Sequence, residues 1–172
     1  QETPDSPEAL ATLPHLSLSD LTDPPAESAY ALDPTRPIAC LRHDACLHGV
    51  VYTYRYFSLN HLTFEEIPYV SVLGLVLSKL ATEQHDAATL DTLINHYLGS
   101  LTFFTDVFTD PDDVHAFNAY FVVGAAALSE NVEWLVSLSK EIMLTTDFTD
   151  TDKIRDILSQ VRISLEQSFV TA

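Results

Sequence analysis

The sequence predicts an α+β domain, a largely antiparallel sheet with helices packed on one face. Three stretches carry that prediction. Leu47 to Leu59 is dense in β-branched and aromatic residues (Val50, Val51, Tyr52, Thr53, Tyr54, Tyr56, Phe57) and reads as a strand. Ile67 to Leu80 and Asp86 to Leu98 read as two successive helices, the second with Leu90, Leu93, Ile94, Tyr97 and Leu98 at helical spacing. Ser100 to Thr109 and His115 to Val123 flank Asp110-Pro111-Asp112-Asp113, a strong turn signal, and form a hairpin. With two more helices at the end, the order becomes ββαα ββαα, which favours one helix layer on an antiparallel sheet.

Residues 1–35 hold six of the nine prolines and read as a linker or arm leading into a single domain, 36–172. Within the arm, Ser6 before Pro7 has the form of an N-cap, so a short helix is expected from Pro7 to Thr12. Ile38 to His43 is expected to pair with the 47–59 strand through a turn at Asp44-Ala45. Neither the odd face of that second strand (Val51, Thr53, Arg55, Phe57) nor the even one (Val50, Tyr52, Tyr54, Tyr56) is cleanly polar. Both faces are therefore expected to be at least partly covered.

Thr63 and Glu66 have capping-box spacing, but Pro68 would clash as the fifth residue of a helix begun at Phe64. The helix is expected to begin at Ile67-Pro68. From Val70 to Leu77 only Ser71 is polar, which predicts burial nearly all round. Gly99 stops the helix that Asp86 caps. Phe117, Ala119, Phe121 and Val123 share one face of the second hairpin strand. The closing helices run from Val132 to Thr145, with Val132, Leu135, Leu138 and Ile142 inward, and from Asp152 to Val170. In the latter, Ile154, Ile157, Leu158, Val161, Leu165 and Phe169 are expected to face inward.

A chain of 172 residues buries roughly 70% of its unfolded surface, so it needs neither disulfide nor metal to hold a core. The net charge of −17 with only 8 Lys and Arg excludes nucleic acid as a natural partner and disfavours anionic membranes. The longest apolar run, Ile67 to Leu77, spans roughly 17 Å as a helix, too short for a bilayer. No leader pattern is visible. The sequence opens on Gln1 and stops at Ala172 within a helical pattern, so it is expected to be a piece of a longer protein.

Cys40, His43, Cys46 and His48 are all zinc-ligand types within nine residues, but C-x2-H-x2-C-x-H matches no common structural module. The simpler reading is two small thiols and two turn or edge histidines. His61 and Glu65 lie near a helix start, yet neither H-E-x-x-H nor H-x-x-E-H occurs. His85, His96 and His115 stand apart from acidic partners at ligand spacing and are expected at the surface. No G-x-S-x-G is present, and four glycines supply no phosphate loop. The aspartates at 106, 110, 112 and 113, and at 147, 150 and 152, lack the D-x-D-x-D-G of a calcium loop and read as solvated turns.

Several landmarks recur in order: Glu8-Ala-Leu-Ala-Thr-Leu-Pro-His-Leu-Ser-Leu-Ser-Asp20, His48-Gly-Val-Val-Tyr52, Ile67-Pro-Tyr-Val70, Leu80-Ala-Thr82 and the terminal Ser168-Phe-Val-Thr-Ala172. In this pattern the chain resembles the start of the second half of a presequence-protease-type member of the insulinase/pitrilysin family of zinc peptidases. The resemblance implies a domain like that of the mitochondrial processing peptidases, cut short at its C-terminus, in a protein whose two halves close around an unfolded peptide. Where the family's catalytic domain carries H-x-x-E-H, the equivalent helix here has Val70, Ser71, Leu73 and Gly74, so no catalytic or zinc-binding residue carries over. The family often has Thr-Asn-Gly at Leu47-His48-Gly49 and Gly-Thr at Ala81-Thr82.

The resemblance thus implies a non-catalytic, substrate-chamber domain of a zinc metallopeptidase that degrades short unstructured peptides. Zinc would sit in the catalytic half, and the partners would be the remaining domains of the polypeptide and its peptide substrates. The chain's acidity would suit basic peptides through long-range attraction. Two other readings are a stand-alone interaction domain without enzymatic activity and a small zinc module at Cys40 to His48. Low Lys usage and free-looking thiols suggest the cytoplasm, with the mitochondrial matrix as the alternative the family offers.

Overall fold

The computed structural model describes residues 6, 12, 17, 20, 30–110, 112, 113 and 115–170, without the side chain of residue 170. The helix expected from Pro7 to Thr12 lies outside these residues. The chain forms two compact units, residues 1–46 and 47–172.

The first unit contains a two-stranded antiparallel ladder of β1 (Tyr30–Leu32) and β2 (Leu41–His43), with Tyr30 opposite His43 and Leu32 opposite Leu41. Its turn is built on Asp33, whose Oδ1 accepts from the Thr35 backbone N–H at 2.9 Å and the Thr35 hydroxyl at 2.6 Å. The Asp33 N–H donates to the Cys40 carbonyl at 2.8 Å and closes the loop. This corrects the expected hairpin: the strand ending at His43 pairs backward onto Tyr30–Leu32, not forward onto 47–59. The Asx turn at Asp33, followed by Pro34, supplies a stronger reversal than Asp44-Ala45. The Asp44 carboxylate is instead held by Arg42 at 3.0 and 3.1 Å.

The second unit runs β3 (Val50–Ser58), α1 (Ile67–Val76), α2 (Ala87–Tyr97), β4 (Ser100–Thr109), β5 (Phe117–Leu128), a 3-10 turn (Ser129–Asn131), α3 (Val132–Thr145) and α4 (Thr151–Val170). The order along the chain is therefore βββαα ββαα. Its sheet has the order β3-β5-β4 and is antiparallel throughout. Thr53 lies opposite Ala125 and Arg55 opposite Val123 on one side of β5; Leu101 and Phe103 meet the same two residues on the other.

Because side chains alternate along a strand, this register sorts the sheet into two faces. The odd positions of β5, Phe121, Val123, Ala125 and Ala127, form the core with Leu90 of α2 and Leu135, Leu138 and Ile142 of α3. Val70 and Leu73 of α1 pack against that core, as do Leu101 and Phe103 of β4. All the described helices that meet the sheet thus lie on its odd face. Tyr97 stacks on Trp134 at 4.1 Å between ring centroids and locks α2 to α3.

Helix α1 begins at Ile67 with proline in its first turn, as the sequence predicts. The capping-box pair forms just before it, with the Thr63 N–H and hydroxyl donating to Glu66 Oε2 at 2.8 and 2.9 Å. The helix ends at Val76, short of the expected Leu80, where Ser78 turns left-handed at φ 65°. That bend points both Leu77 and Leu80 inward, at 3% and 2% exposure. The expected all-round burial is also corrected: within α1 only Val76 is fully buried, and Tyr69 and Leu75 are exposed. Helix α4 rests on the end of α1 through Ile157, with Ile154 and Leu158 beside it. Of the positions expected inward on α4, Leu165 and Phe169 are instead 55% and 83% exposed, because nothing described packs on the far half of the helix.

Candidate functional site

The even face of the β3-β5-β4 sheet is the most distinctive surface. On it lie Tyr52, Tyr54 and Tyr56 of β3, Tyr120, Val122, Gly124 and Ala126 of β5, and Thr102, Phe104, Asp106 and Phe108 of β4. The central strand carries small residues where the flanking strands carry rings. Gly124 is required by this arrangement: a Cβ there would stand 2.9 Å from Thr102 Oγ1 and 3.1 Å from the Tyr54 ring. Val122 and Ala126 are buried between the flanking strands' side chains, yet Tyr52, Tyr54, Tyr56, Phe104 and Phe108 remain 38 to 56% exposed. The partial covering expected of this face comes from its own side chains. Among the described residues no helix of the unit packs on it, and its rings are only half hidden by one another.

Three rings converge at one end of the face. Tyr56, Phe108 and Tyr120 meet edge-to-face with centroids 5.8 to 5.9 Å apart. Asp106 lies directly opposite Tyr120 in the register and is flanked on β4 by Phe104 and Phe108. Its carboxylate accepts from the Val107 N–H at 2.8 Å. The arrangement offers aromatic faces, phenol hydroxyls and a carboxylate on one surface.

Behind the sheet, two polar contacts fix the helix layer. Arg55, the one charged residue of β3, reaches under the sheet and donates to Ser139 Oγ of α3 at 2.7 Å. Partial burial pushes its guanidinium below the usual range, though an arginine stays charged. The second contact is a latch around Glu141 of α3, which is 8% exposed. Glu141 Oε1 accepts from the Thr82 hydroxyl at 2.5 Å and lies 2.9 Å from His85 Nδ1. Thr82 Oγ1 in turn accepts from the Gln84 and His85 backbone N–H groups, and residues 81–83 bridge to 145–147. His85 is thus not isolated from acidic partners, contrary to expectation. A separation of 56 residues hides the pairing from any reading of local spacing.

Among the four residues weighed as zinc ligands, Cys40 is half-buried before β2, His43 closes that strand, and Cys46 is exposed. His48 belongs to the second unit and precedes β3 in a left-handed conformation, φ 48°, with Gly49 at φ 86°. Histidine, like asparagine, tolerates that region better than most residues, which gives His48 a turn role. Among the described residues, no group of three or more His, Cys, Asp or Glu side chains is arranged to hold a metal. His96 lies edge-on to Tyr97, and the His115 N–H caps back to Asp113 Oδ1 at 2.9 Å. Asp110, Asp112 and Asp113 are exposed, with Asp110 Oδ1 accepting from the Asp112 N–H.

Comparison with known proteins adds the decisive observation. The profile of the family described as associated with peptidases of family M16, subfamily C, matches residues 1–172, the whole sequence. The chain belongs to that peptidase-associated family. It is 31% identical to Protein HypA of Clostridium perfringens over 166 residues, covering 96% of this chain and 17% of that protein. It is 26% identical to Presequence protease 1, chloroplastic/mitochondrial, of Arabidopsis thaliana, covering 96% and 15% respectively. The mitochondrial presequence protease of Yarrowia lipolytica is 27% identical, with 95% and 16% covered. The chain therefore spans only 15 to 17% of the length of these relatives.

The donor set of α1 does not fit the zinc that the peptidase family implies. Val70, Ser71, Leu73 and Gly74 supply no imidazole or carboxylate, and a Cβ at Gly74 would stand only 3.0 Å from the Phe103 carbonyl.

Proposed function

We propose that residues 36–172 form a non-catalytic wall of the peptide-binding chamber in a larger zinc metallopeptidase that degrades short, unstructured peptides. The observation that carries this reading is the helix-free aromatic face of the β3-β5-β4 sheet. A sheet covered on one side by α1, α2 and α3, with half-exposed rings and no described helix on the other, has room for something to meet those rings. Half-exposed tyrosines suit an extended peptide, since each offers apolar area and a hydroxyl at little entropic cost. Membership of a peptidase-associated family supports reading that visitor as a substrate. Hydrolysis, and the zinc it uses, fall to other domains of the same polypeptide, which are the chain's first partners. The relatives named for mitochondria and chloroplasts favour the mitochondrial alternative over the cytoplasm.

The test is site-specific photo-cross-linking in the full-length polypeptide. A photoreactive residue replaces Tyr54 on the open face or Val136 on the exposed side of α3, and an unstructured peptide is added. Cross-links at position 54 and none at 136 are expected. Equal yields at both positions, or none at either, would overturn the chamber-wall reading and favour a stand-alone interaction domain.

A further inference from the structure

We infer that the Tyr56–Phe108–Tyr120 cluster and Asp106 form a subsite for a cationic side chain, Arg or Lys, of an extended peptide. The inference deepens the reading above and rests on it only for the peptide's being a substrate.

Charge complementarity on the open face carries the argument. The even positions of β3, β4 and β5 include five rings beside Tyr120, and Asp106 is the one charged residue among them. No Lys, Arg or His occupies any of those positions. Asp106 takes a hydrogen bond from the Val107 N–H, and among the described residues it has no cationic partner. Some other carboxylates of the chain do meet an arginine nearby: Asp33 with Arg36, Asp44 with Arg42, Asp152 with Arg155. A half-buried carboxylate set among aromatic rings, with no cation beside it among the described residues, offers a free oxygen to an incoming cation.

The rings strengthen that preference. A ring face attracts a cation through its quadrupole, and the attraction grows where water is displaced. With centroids 5.8 to 5.9 Å apart and edges turned into faces, the three rings touch and make a platform rather than an open cage. A guanidinium or ammonium would lie on the platform with its N–H groups toward Asp106. Beyond Phe108 the strand runs into the exposed aspartates 110, 112 and 113, which extend the negative field at that end. An acidic peptide would meet a like charge and is disfavoured.

The test measures binding of dye-labelled Gly/Ser peptides to the 172-residue chain. One peptide bears spaced Arg residues, and a second has Gln at the same places. Arg is expected to bind about ten-fold tighter at low salt. In Asp106→Asn, and separately in Phe108→Leu, that ratio is expected to fall about three-fold or more. Both variants are first shown by circular dichroism to melt as wild type does. A ratio unchanged in both variants would mean that the diffuse net charge of the chain draws the peptide, and would overturn the subsite. Equal binding of both peptides would overturn it too, while leaving the chamber-wall reading standing. A local Arg preference without cross-linking at position 54 in the full-length polypeptide would keep the subsite and sink the chamber wall.

Discussion

Replacing Glu141 tests whether the latch between the α1–α2 loop and α3 is a structural joint. Glu141→Ala removes the acceptor for the Thr82 hydroxyl at 2.5 Å and the partner of His85 Nδ1 at 2.9 Å. A hydrogen bond to a charged group contributes about 1.5–3 kcal/mol, and two are lost. Against this stands the relief of a carboxylate that is 8% exposed and whose desolvation costs several kcal/mol. Thr82 is not orphaned either, because its hydroxyl can turn to the His85 carbonyl, already 3.3 Å away. The balance is a loss of about 2 kcal/mol, which lowers the melting temperature by roughly 4–8 °C in a domain of this size. A double-mutant cycle with Thr82→Val isolates the contact, and about 1 kcal/mol of coupling is expected between the two sites in urea titrations. Additivity within about 0.3 kcal/mol would refute the latch, and so would a Glu141→Ala protein that melts with wild type.

Three further outcomes follow from named contacts. Gly74→Leu should cost about 2–3 kcal/mol in urea unfolding, because a Cβ at that position already meets the Phe103 carbonyl at 3.0 Å and a larger side chain must push α1 off β4. Asp86 caps α2, and the Thr89 N–H that it accepts holds its carboxyl below the usual range. A lowered folded value means that the cap's contribution is complete above the unfolded value and is lost as pH falls through the folded one. Asp86→Asn should therefore flatten the acid limb of a stability–pH curve, and an unaltered limb would contradict the assignment. Dialysis against trace zinc should leave no stoichiometric metal on the chain by elemental analysis. One zinc per chain, lost on replacing Cys46 and His48 with Ala, would show instead that the cluster is a site.

What could be read from the sequence was whatever local periodicity encodes. Helix α3 spans Val132–Thr145 as expected, and α2 and α4 agree within a residue at each end. Strand β4 does as well, because Gly99 and the Asp110-Pro111 turn bracket it. Partner choice was not legible. Tyr30–Leu32 hides in a proline-rich arm, and β3 finds β5 across more than sixty residues, a pairing set by the core and not by any turn. The left-handed Ser78 gave no signal in advance, since serine is not a residue that announces positive φ. Of the candidate site, the tyrosine alternation in β3 was visible, but which face the helices would take depended on the unseen register with β5. The convergence of Tyr56, Phe108 and Tyr120 is a product of three strands and belongs to no single stretch of sequence.

That convergence also decides between two accounts of the open face. One holds that the rings are structural, substituting for a missing layer over Val122, Gly124 and Ala126. Part of this is correct, for Val122 is fully buried and the Tyr54 ring closes over Gly124. A purely structural cover, however, would need no more ring than it hides. At 150–250 Å² a ring, five rings exposed by about half leave roughly 500 Å² of aromatic surface, near the upper end of the largest patches that monomers present. The helix side reaches low exposure with mostly aliphatic residues, as Leu90, Leu135 and Ile142 show. The same sequence could have covered β5 with Val and Thr, which pack well on a pleated sheet and present far less apolar area. Tyrosine and phenylalanine at these positions, with Asp106 among them and no cation beside it among the described residues, therefore exceed what folding requires. That excess is the surface which the proposed visitor, extended, partly apolar and positively charged, would use.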